Sequence, residues 1–296
     1  MRILLQFPEG LKQMAMQYAE KYRKEGHEVV LAAAACYGAC DLALDDARAI
    51  GADKIVHFGH ARFMKKTPLP VEYVEWHDVV NLDRLATAVK KIQEKNIALA
   101  TTVQHIHQLA KMKKIFEAAG KKVFIGSGAF TVYEGQVLGC DFGAAVNKAA
   151  NAAVIVAGGD FHAVGAFVDY PVYAIHPKTG EVRNLSKEIE RAKKLRKGAV
   201  LKAVDAKSFG VMVSTKPGQM RLQLAEQLAE KIRKHGRHAE VVVSNQLDAN
   251  AINNFMFDAL VNTACPRIAD DTELFGKPVL NPDMLEELLK LWKKLG

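Results

Sequence analysis

The runs KIVHFGHARFM (54–64) and LPVEYVEWH (69–77) recur later in the chain as VIVAGGDFHAV (154–164) and DYPVYAIHP (169–177). Each pair begins with a short apolar run, passes through a turn that contains glycine, and ends in a second apolar run. Apolar runs of this length, separated by helical patterns, indicate parallel strands joined by crossover connections. The recurrence of the same order of segments indicates an internal repeat.

A third copy completes the repeat. It opens with a strand over 209–214, continues as a helix over 220–234 and returns as a strand over 239–243. The chain is therefore predicted to be an α/β protein, with three similar small parallel-sheet α/β units arranged around a central site. We place these units at residues 1–80, 81–186 and 187–296.

The composition is that of a soluble globular protein. Of the 296 residues, 49% are hydrophobic and 25% are charged. No apolar run approaches the roughly 20 residues that cross a bilayer, and the N-terminus lacks the layout of a signal peptide, so we expect a cytoplasmic protein with no membrane partner. The net charge of +8 lies largely on predicted helices without interleaved aromatic residues, which favours exposed helix faces over a nucleic-acid interface.

Three of the four cysteines share a position at the edge of a predicted sheet. Cys40 and Cys140 follow the second strand of their copies, and Cys265 follows the third strand of its copy. All three come just after the carboxyl end of a parallel strand, which is the edge where open α/β sheets bind ligands. If the three edges face one centre, three thiols meet there.

A meeting of three thiols leaves several interpretations open. Taken singly, each cysteine is explained by burial alone. Taken together, they suit a zinc site of the Cys3His type, or an iron–sulfur cluster that leaves one iron open to a substrate.

The remaining cysteine, Cys36, is interpreted as the end of a buried strand and not as a ligand. Cys36 and Cys40 have the spacing Cys-x3-Cys, but position 43 is alanine, so the Cys-x3-Cys-x2-Cys signature of ordinary radical S-adenosylmethionine enzymes is absent.

Six motifs spread over essentially the whole chain resemble one family. They are QFPEGL (6–11), CYGACD (36–41), VHFGHA (56–61), GQVLGCD (135–141), STKPGQ (214–219) and NTACPRIADD (262–271). The sequence is similar to the archaeal 2-(3-amino-3-carboxypropyl)histidine synthase family of diphthamide synthesis. This resemblance implies a 4Fe-4S cluster held by one cysteine from each α/β unit, namely Cys40, Cys140 and Cys265.

The resemblance also implies a reaction and its partners. In this family the reduced cluster breaks the bond between the sulfur and the methionine γ-carbon of S-adenosyl-L-methionine, a noncanonical radical use of that substrate. The 3-amino-3-carboxypropyl radical adds to the C2 carbon of one histidine of elongation factor 2, and methylthioadenosine is released. Such a transferase needs an electron donor, and the archaeal relatives act as homodimers.

The loop after the first strand of each copy is expected to face the same centre. The loop 214–219 is the best candidate for the substrate carboxylate, because a glycine-containing turn that opens a helix offers backbone N–H donors beside a lysine. The residues predicted to bind S-adenosylmethionine are Ser214, Thr215, Lys216, Gly218, Gln219, Glu9, Gln104, His60 and Arg267.

Two other functions remain open from the sequence. Quinolinate synthase is also triplicated with three cysteine ligands, but it makes quinolinate from small metabolites. A cluster-free α/β module that binds a nucleotide or a partner protein would contain no iron.

Overall fold

A computed structural model of the protein describes residues 1–270 and 272–295. Asp271, the last residue of the motif 262–271, and Gly296 lie outside the described residues. The chain divides into two compact units, Met1–Lys187 and Glu188–Gly296. The described residues form three β-sheets of four or five strands, of which two lie in the first unit and one in the second. The three-part division at 80/81 and 186/187 stays a prediction.

The first sheet is formed by the N-terminal part of the chain. Its elements are β1 (Arg2–Gln6), α1 (Ala15–Lys24), β2 (Glu28–Leu31), α2 (Leu44–Ala49), β3 (Lys54–Phe58) and β4 (Val71–Val74). All neighbouring strands are parallel, in the order β2-β1-β3-β4. Alternate residues of β1 supply both faces, since Leu5 packs with Tyr22 of α1 and Leu4 packs with Leu44 of α2.

The second sheet repeats this order. Its elements are α3 (Leu82–Val89), β5 (Asn96–Thr101), α4 (Leu109–Ala118), β6 (Lys122–Phe124), β7 (Ala152–Val156), α5 (Phe161–Val164), β8 (Val172–Ile175) and β9 (Val182–Asn184). The order is β6-β5-β7-β8-β9, in which only β9 is antiparallel to its neighbour. Strand β7 is buried along its whole length, as expected for a central strand covered on both faces.

The third sheet belongs to the second compact unit. Its elements are α6 (Ser186–Lys202), β10 (Ser208–Ser214), α7 (Leu222–Lys234), β11 (His238–Ser244), α8 (Ala249–Asn253), β12 (Ala259–Asn262), α9 (Thr272–Phe275), β13 (Val279–Leu280) and α10 (Pro282–Leu295). The strands are parallel in the order β11-β10-β12-β13. The third order matches the other two, so the predicted triplicated α/β fold is confirmed.

The ends of the first helices also repeat. In each copy the helix after the first strand is followed by a glycine with positive φ, namely Gly26 at +86°, Gly120 at +76° and Gly236 at +74°. Glycine adopts this conformation without the steric cost that a side chain would bring. These are the positions at which the sequence predicts that the three helices end.

Two predicted elements differ from the structure. The helix expected over 144–150 is only a 3₁₀ turn, Gly143–Ala145. The hydroxyl of Tyr170 accepts from Asn147 N–H at 3.0 Å and donates to the Ala145 carbonyl at 3.0 Å, so it occupies backbone groups that a helix would pair internally.

The second strand, expected over 28–34, ends at Leu31. Beyond it, Lys12 Nζ donates to the carbonyls of Ala33 at 2.9 Å and Ala34 at 3.3 Å. Cys36 therefore lies in the following loop, although it is buried as expected. Among the helices of the described residues, none is long and apolar enough to cross a membrane.

Candidate functional site

Cys40 lies in a tight turn between β2 and α2. The Asp41 N–H donates to the Gly38 carbonyl at 2.9 Å, so Cys40 is the third residue of a β-turn. The Cys40 side chain is partly exposed and Asp41 is buried. The turn thus presents the thiol beyond the carboxyl edge of the first sheet, as the sequence predicts.

The buried side chain of Gln6, at the end of β1, holds this turn in place. Its Nε2 donates to the Asp41 carbonyl at 2.6 Å, and its Oε1 accepts from Ala43 N–H at 3.2 Å. These two backbone partners fix which end of the amide is oxygen. Sequence reasoning did not assign Gln6 a role, although an amide at the end of an apolar strand beside a cysteine loop is a usable signal.

Two histidines continue this network at the end of β3. His57 Nδ1 lies 2.9 Å from Gln6 Oε1, and His57 Nε2 lies 3.0 Å from His60 Nδ1. Because Gln6 Oε1 can only accept, His57 carries its proton on Nδ1. The pKa of His57 is lowered from 6.5 to about 3, mainly by burial and to a smaller extent by the neighbouring His60. Burial also lowers the pKa of His60, against an opposing hydrogen bond with the Phe58 backbone. Both rings are therefore neutral at pH 7.

Cys140 occupies the same kind of turn as Cys40. The Asp141 N–H donates to the Leu138 carbonyl at 3.3 Å, which again makes the cysteine the third residue of a β-turn. The buried Asp141 carboxylate accepts from Phe130 N–H at 2.7 Å and from Gly143 N–H at 3.0 Å. Both turns end in Cys-Asp: the Asp141 carboxylate fastens a long loop, and the Asp41 carboxylate accepts from Tyr37 N–H at 3.4 Å.

Cys265 is held differently, by two buried asparagines. Asn262 Nδ2, at the end of β12, donates to the Cys265 carbonyl at 2.8 Å and to Asn281 Oδ1 at 2.8 Å. Asn281 Nδ2 in turn donates to the Pro266 carbonyl at 2.9 Å. Each of the three partly exposed cysteines therefore lies in a loop whose backbone is fastened by a buried amide or carboxylate.

Within the first compact unit, the loop after β3 touches the loop that carries Cys140. The rings of Phe63 and Phe130 stack with centroids 5.5 Å apart. Nearby, Tyr133 Oη donates to Glu75 Oε1 at 2.9 Å. The ends of the first two sheets that bear the cysteine loops are therefore joined through these side chains.

The loop 214–219 lies beyond β10, at the same edge of the third sheet as the Cys265 loop. Ser214, Lys216 and Gln219 are buried. Backbone N–H groups of the loop already donate hydrogen bonds within the protein. Lys216 N–H donates to Ser214 Oγ at 3.2 Å, and Gln219 N–H donates to the Lys216 carbonyl at 2.9 Å. Thr215 and Gly218, in the same loop, are partly exposed.

The other predicted substrate residues lie at strand ends in both compact units. Glu9 is exposed beyond β1 and pairs with Lys12 at 2.6 Å. Gln104 is partly exposed beyond β5, and His60 lies beyond β3. Arg267 follows Cys265, and its Nε lies 3.2 Å from Asp270 Oδ2. Arg267 is thus held beside an acidic side chain, whose other oxygen binds Arg196 at 3.0 Å.

Comparison with known proteins agrees with this architecture. The family described as putative diphthamide synthesis protein matches residues 7–295. The 2-(3-amino-3-carboxypropyl)histidine synthase of Pyrococcus horikoshii is 37% identical over 298 residues, covering 98% of this chain and 86% of that protein. Subunit 1 of the Schizosaccharomyces pombe synthase is 27% identical over 299 residues, covering 95% of this chain and 68% of that protein.

The fold extends the agreement to a solved structure. The crystal structure of Dph2 from Pyrococcus horikoshii with a 4Fe-4S cluster has a TM-score of 0.90 to this chain at 36% sequence identity. The match covers 98% of this chain and 86% of that one. By sequence along nearly its whole length, and by the shared three-sheet fold, the chain belongs to the diphthamide synthesis protein family.

Proposed function

We propose that the protein transfers the 3-amino-3-carboxypropyl group of S-adenosyl-L-methionine to the C2 carbon of a histidine of elongation factor 2, the first step of diphthamide biosynthesis. The observation that carries this proposal is the likeness, over nearly the whole chain, to the Pyrococcus horikoshii structure that contains a 4Fe-4S cluster. The name of the related synthase supplies the group that is transferred and the amino acid that receives it.

Cys40, Cys140 and Cys265 are the residues that would hold a cluster. Their donor chemistry fits, because thiolates are the usual ligands of iron–sulfur clusters. Their surroundings fit as well, since each thiol is partly exposed on a loop whose backbone is fastened from behind by buried side chains. Such fastening limits how far a ligand sulfur can stray from its position.

When bound, the cluster would supply the electron that breaks the bond between sulfur and the methionine γ-carbon, which gives methylthioadenosine and a 3-amino-3-carboxypropyl radical. Addition of this radical to C2 of the imidazole is completed by loss of the C2 proton and of one electron. The loop 214–219 would orient the substrate, with the Lys216 ammonium opposite its carboxylate. Because the N–H groups of Thr215, Lys216 and Gln219 already have partners within the protein, the side chain of Lys216 carries more of this role than the backbone. Glu9, Gln104, His60 and Arg267 remain predicted contributors.

Anaerobic reconstitution with iron and sulfide tests the ligand set. We expect about four irons per chain in the unaltered protein, as for a 4Fe-4S cluster. Cys40→Ala, Cys140→Ala and Cys265→Ala should each lose this iron and its visible absorption. Cys36→Ser is the matched control, because it removes the thiol outside the proposed set and should keep the cluster. Retention of the cluster in any of the three alanine variants would contradict the ligand assignment.

The reaction is tested by its products. Reduced, reconstituted protein with elongation factor 2 and S-adenosyl-L-methionine should release methylthioadenosine and add the 3-amino-3-carboxypropyl group to one histidine, both detectable by mass spectrometry. Formation of quinolinate from small metabolites, or a protein that never takes up iron, would favour the other functions considered from the sequence. A homodimer in size-exclusion chromatography and dependence on a one-electron donor complete the proposal.

A further inference from the structure

Three potential metal ligands outside the proposed cluster set lie together at the carboxyl edge of the first sheet. They are Cys36 in the loop before the Cys40 turn, His57 in β3 and His60 just beyond β3. The Cys36 sulfur and one ring nitrogen of each histidine all lie within 4.8 Å of one another. Cys36 and His57 are buried, while His60 is partly exposed. The three side chains come from two separate parts of the chain, so the fold itself brings them together.

The spacing of these atoms is close to that of a tetrahedral zinc site. With Zn–N bonds of about 2.0–2.1 Å and a Zn–S bond of about 2.3 Å, neighbouring ligands are separated by about 3.3 Å (N to N) and about 3.6 Å (S to N). His57 Nε2 and His60 Nδ1 are 3.0 Å apart. To reach this geometry the two nitrogens would move apart by about 0.3 Å, and the sulfur, which lies within 4.8 Å of the ligand nitrogens, would approach them by up to about 1.2 Å.

The hydrogen bonds behind His57 also suit a metal ligand. Gln6 Oε1 accepts from His57 Nδ1 at 2.9 Å, and Gln6 is itself fixed by the backbone of Asp41 and Ala43. This arrangement leaves the lone pair of His57 Nε2 directed toward His60. Metal-binding histidines usually donate their other ring N–H to an oxygen in this way, which sets the tautomer and the ring orientation.

We propose that Cys36, His57 and His60 bind one zinc ion through Sγ, Nε2 and Nδ1, with water as the fourth ligand. A mixed set of one thiolate and two imidazoles is suited to zinc. On binding, the Cys36 thiol releases its proton to solvent, and His60 carries its remaining proton on Nε2. The ion ties the loop that precedes Cys40 to the end of β3. Cys36 and His60 thereby take roles other than the buried strand end and the substrate contact predicted from the sequence.

Cobalt(II) is the probe for this site, because a thiolate ligand gives a charge-transfer band and a tetrahedral site gives visible d–d bands. The triple variant Cys40→Ala, Cys140→Ala, Cys265→Ala, treated with chelator, is titrated with cobalt chloride under anaerobic conditions, and zinc is then added to displace the cobalt. We expect the bands to saturate at one cobalt per chain and to disappear with zinc. Because this variant lacks the three thiols of the proposed cluster, which would bind cobalt themselves, its bands report on the Cys36 site.

Added to the triple variant, Cys36→Ser should abolish the charge-transfer band, and His60→Gln should weaken cobalt binding at least tenfold. His60 is partly exposed, so its variant is expected to fold, which circular dichroism checks. Zinc should raise the melting temperature of the triple variant, but not when Cys36→Ser is added to it. The proposal is overturned if the triple variant shows no thiolate–cobalt band, or if the band persists when Cys36→Ser is added to it.

Discussion

The replacement Gln6→Leu tests whether one buried amide holds the Cys40 turn. Leucine is similar in volume but cannot form hydrogen bonds, so the Asp41 carbonyl, the Ala43 N–H and the His57 Nδ1–H all lose their partner. His57 is fully buried and Asp41 is nearly so, whereas Ala43 is partly exposed and can be hydrated. The change therefore removes the hydrogen bond of Gln6 from two buried polar groups.

Each buried group left without a partner costs about 1–3 kcal/mol, so two groups give a loss of about 4 kcal/mol in the free energy of unfolding. For a unit of this size, 1 kcal/mol corresponds to about 2–4 °C in melting temperature, and the expected decrease is about 8–16 °C. The loosened turn should also take up iron less completely, because Cys40 is one of the proposed ligands.

Urea unfolding followed by circular dichroism measures the energy, and hydrogen–deuterium exchange shows where it arises. Exchange should accelerate in peptides that cover 36–43 and stay unchanged in β10, which belongs to the other compact unit. Gln17→Leu, on the exposed side of α1, is the matched control and should change stability by no more than about 0.5 kcal/mol. A loss below about 1 kcal/mol for Gln6→Leu, or unchanged exchange at 36–43, would refute the reasoning, since such a loss is too small for a buried orphaned group.

Two further replacements probe the second sheet. A Cβ at Gly128 would stand 2.5 Å from Asp141 Oδ2, so Gly128→Ala should displace that carboxylate. The variant should lose about 1–3 kcal/mol in the free energy of unfolding and take up less iron, because the Cys140 loop is disturbed. Gly158→Ala, with nothing within 4 Å of its Cβ, is the control and should change neither stability nor iron uptake. Burial is the main cause of the lowered pKa of His105, whose Nδ1 donates to the Asp78 carbonyl at 2.9 Å. As pH falls below about 6.5, the unfolded chain takes up the proton before the folded one, so stability falls. His105→Gln should reduce that slope by up to about 1.4 kcal/mol per pH unit, and equal slopes in urea titrations from pH 7 to pH 5 would contradict it.

Much of the site's scaffold follows from local sequence pattern. Short apolar runs and the glycines after the first helices predict the sequence of strands and helices along the chain, because strand burial and helix termination depend on neighbouring residues. The same pattern places Cys40, Cys140 and Cys265 beyond strand ends, and the structure has them there. The six motifs point to the family that the comparisons show.

The sequence could not determine the contacts between residues that lie far apart in the chain. Alanine-rich composition alone would favour a helix over 144–150, but the Tyr170 hydroxyl forms hydrogen bonds with backbone groups of that segment. Lys12 Nζ likewise donates to the Ala33 carbonyl, in the segment where the sequence predicts the end of β2. Such competition is decided by tertiary packing, which overrides local propensity.

The recurring runs at 54–64 and 154–164 determine a repeated α/β fold, and the positions of Cys40, Cys140 and Cys265 after apolar runs place these residues at strand ends. Only the tertiary structure decides that Gln6 fastens the Cys40 turn and that Cys36 meets His57 and His60. The physical reason is that hydrophobic periodicity reports which face of an element is buried, whereas a hydrogen-bond network or a metal site depends on the three-dimensional meeting of side chains from separate strands.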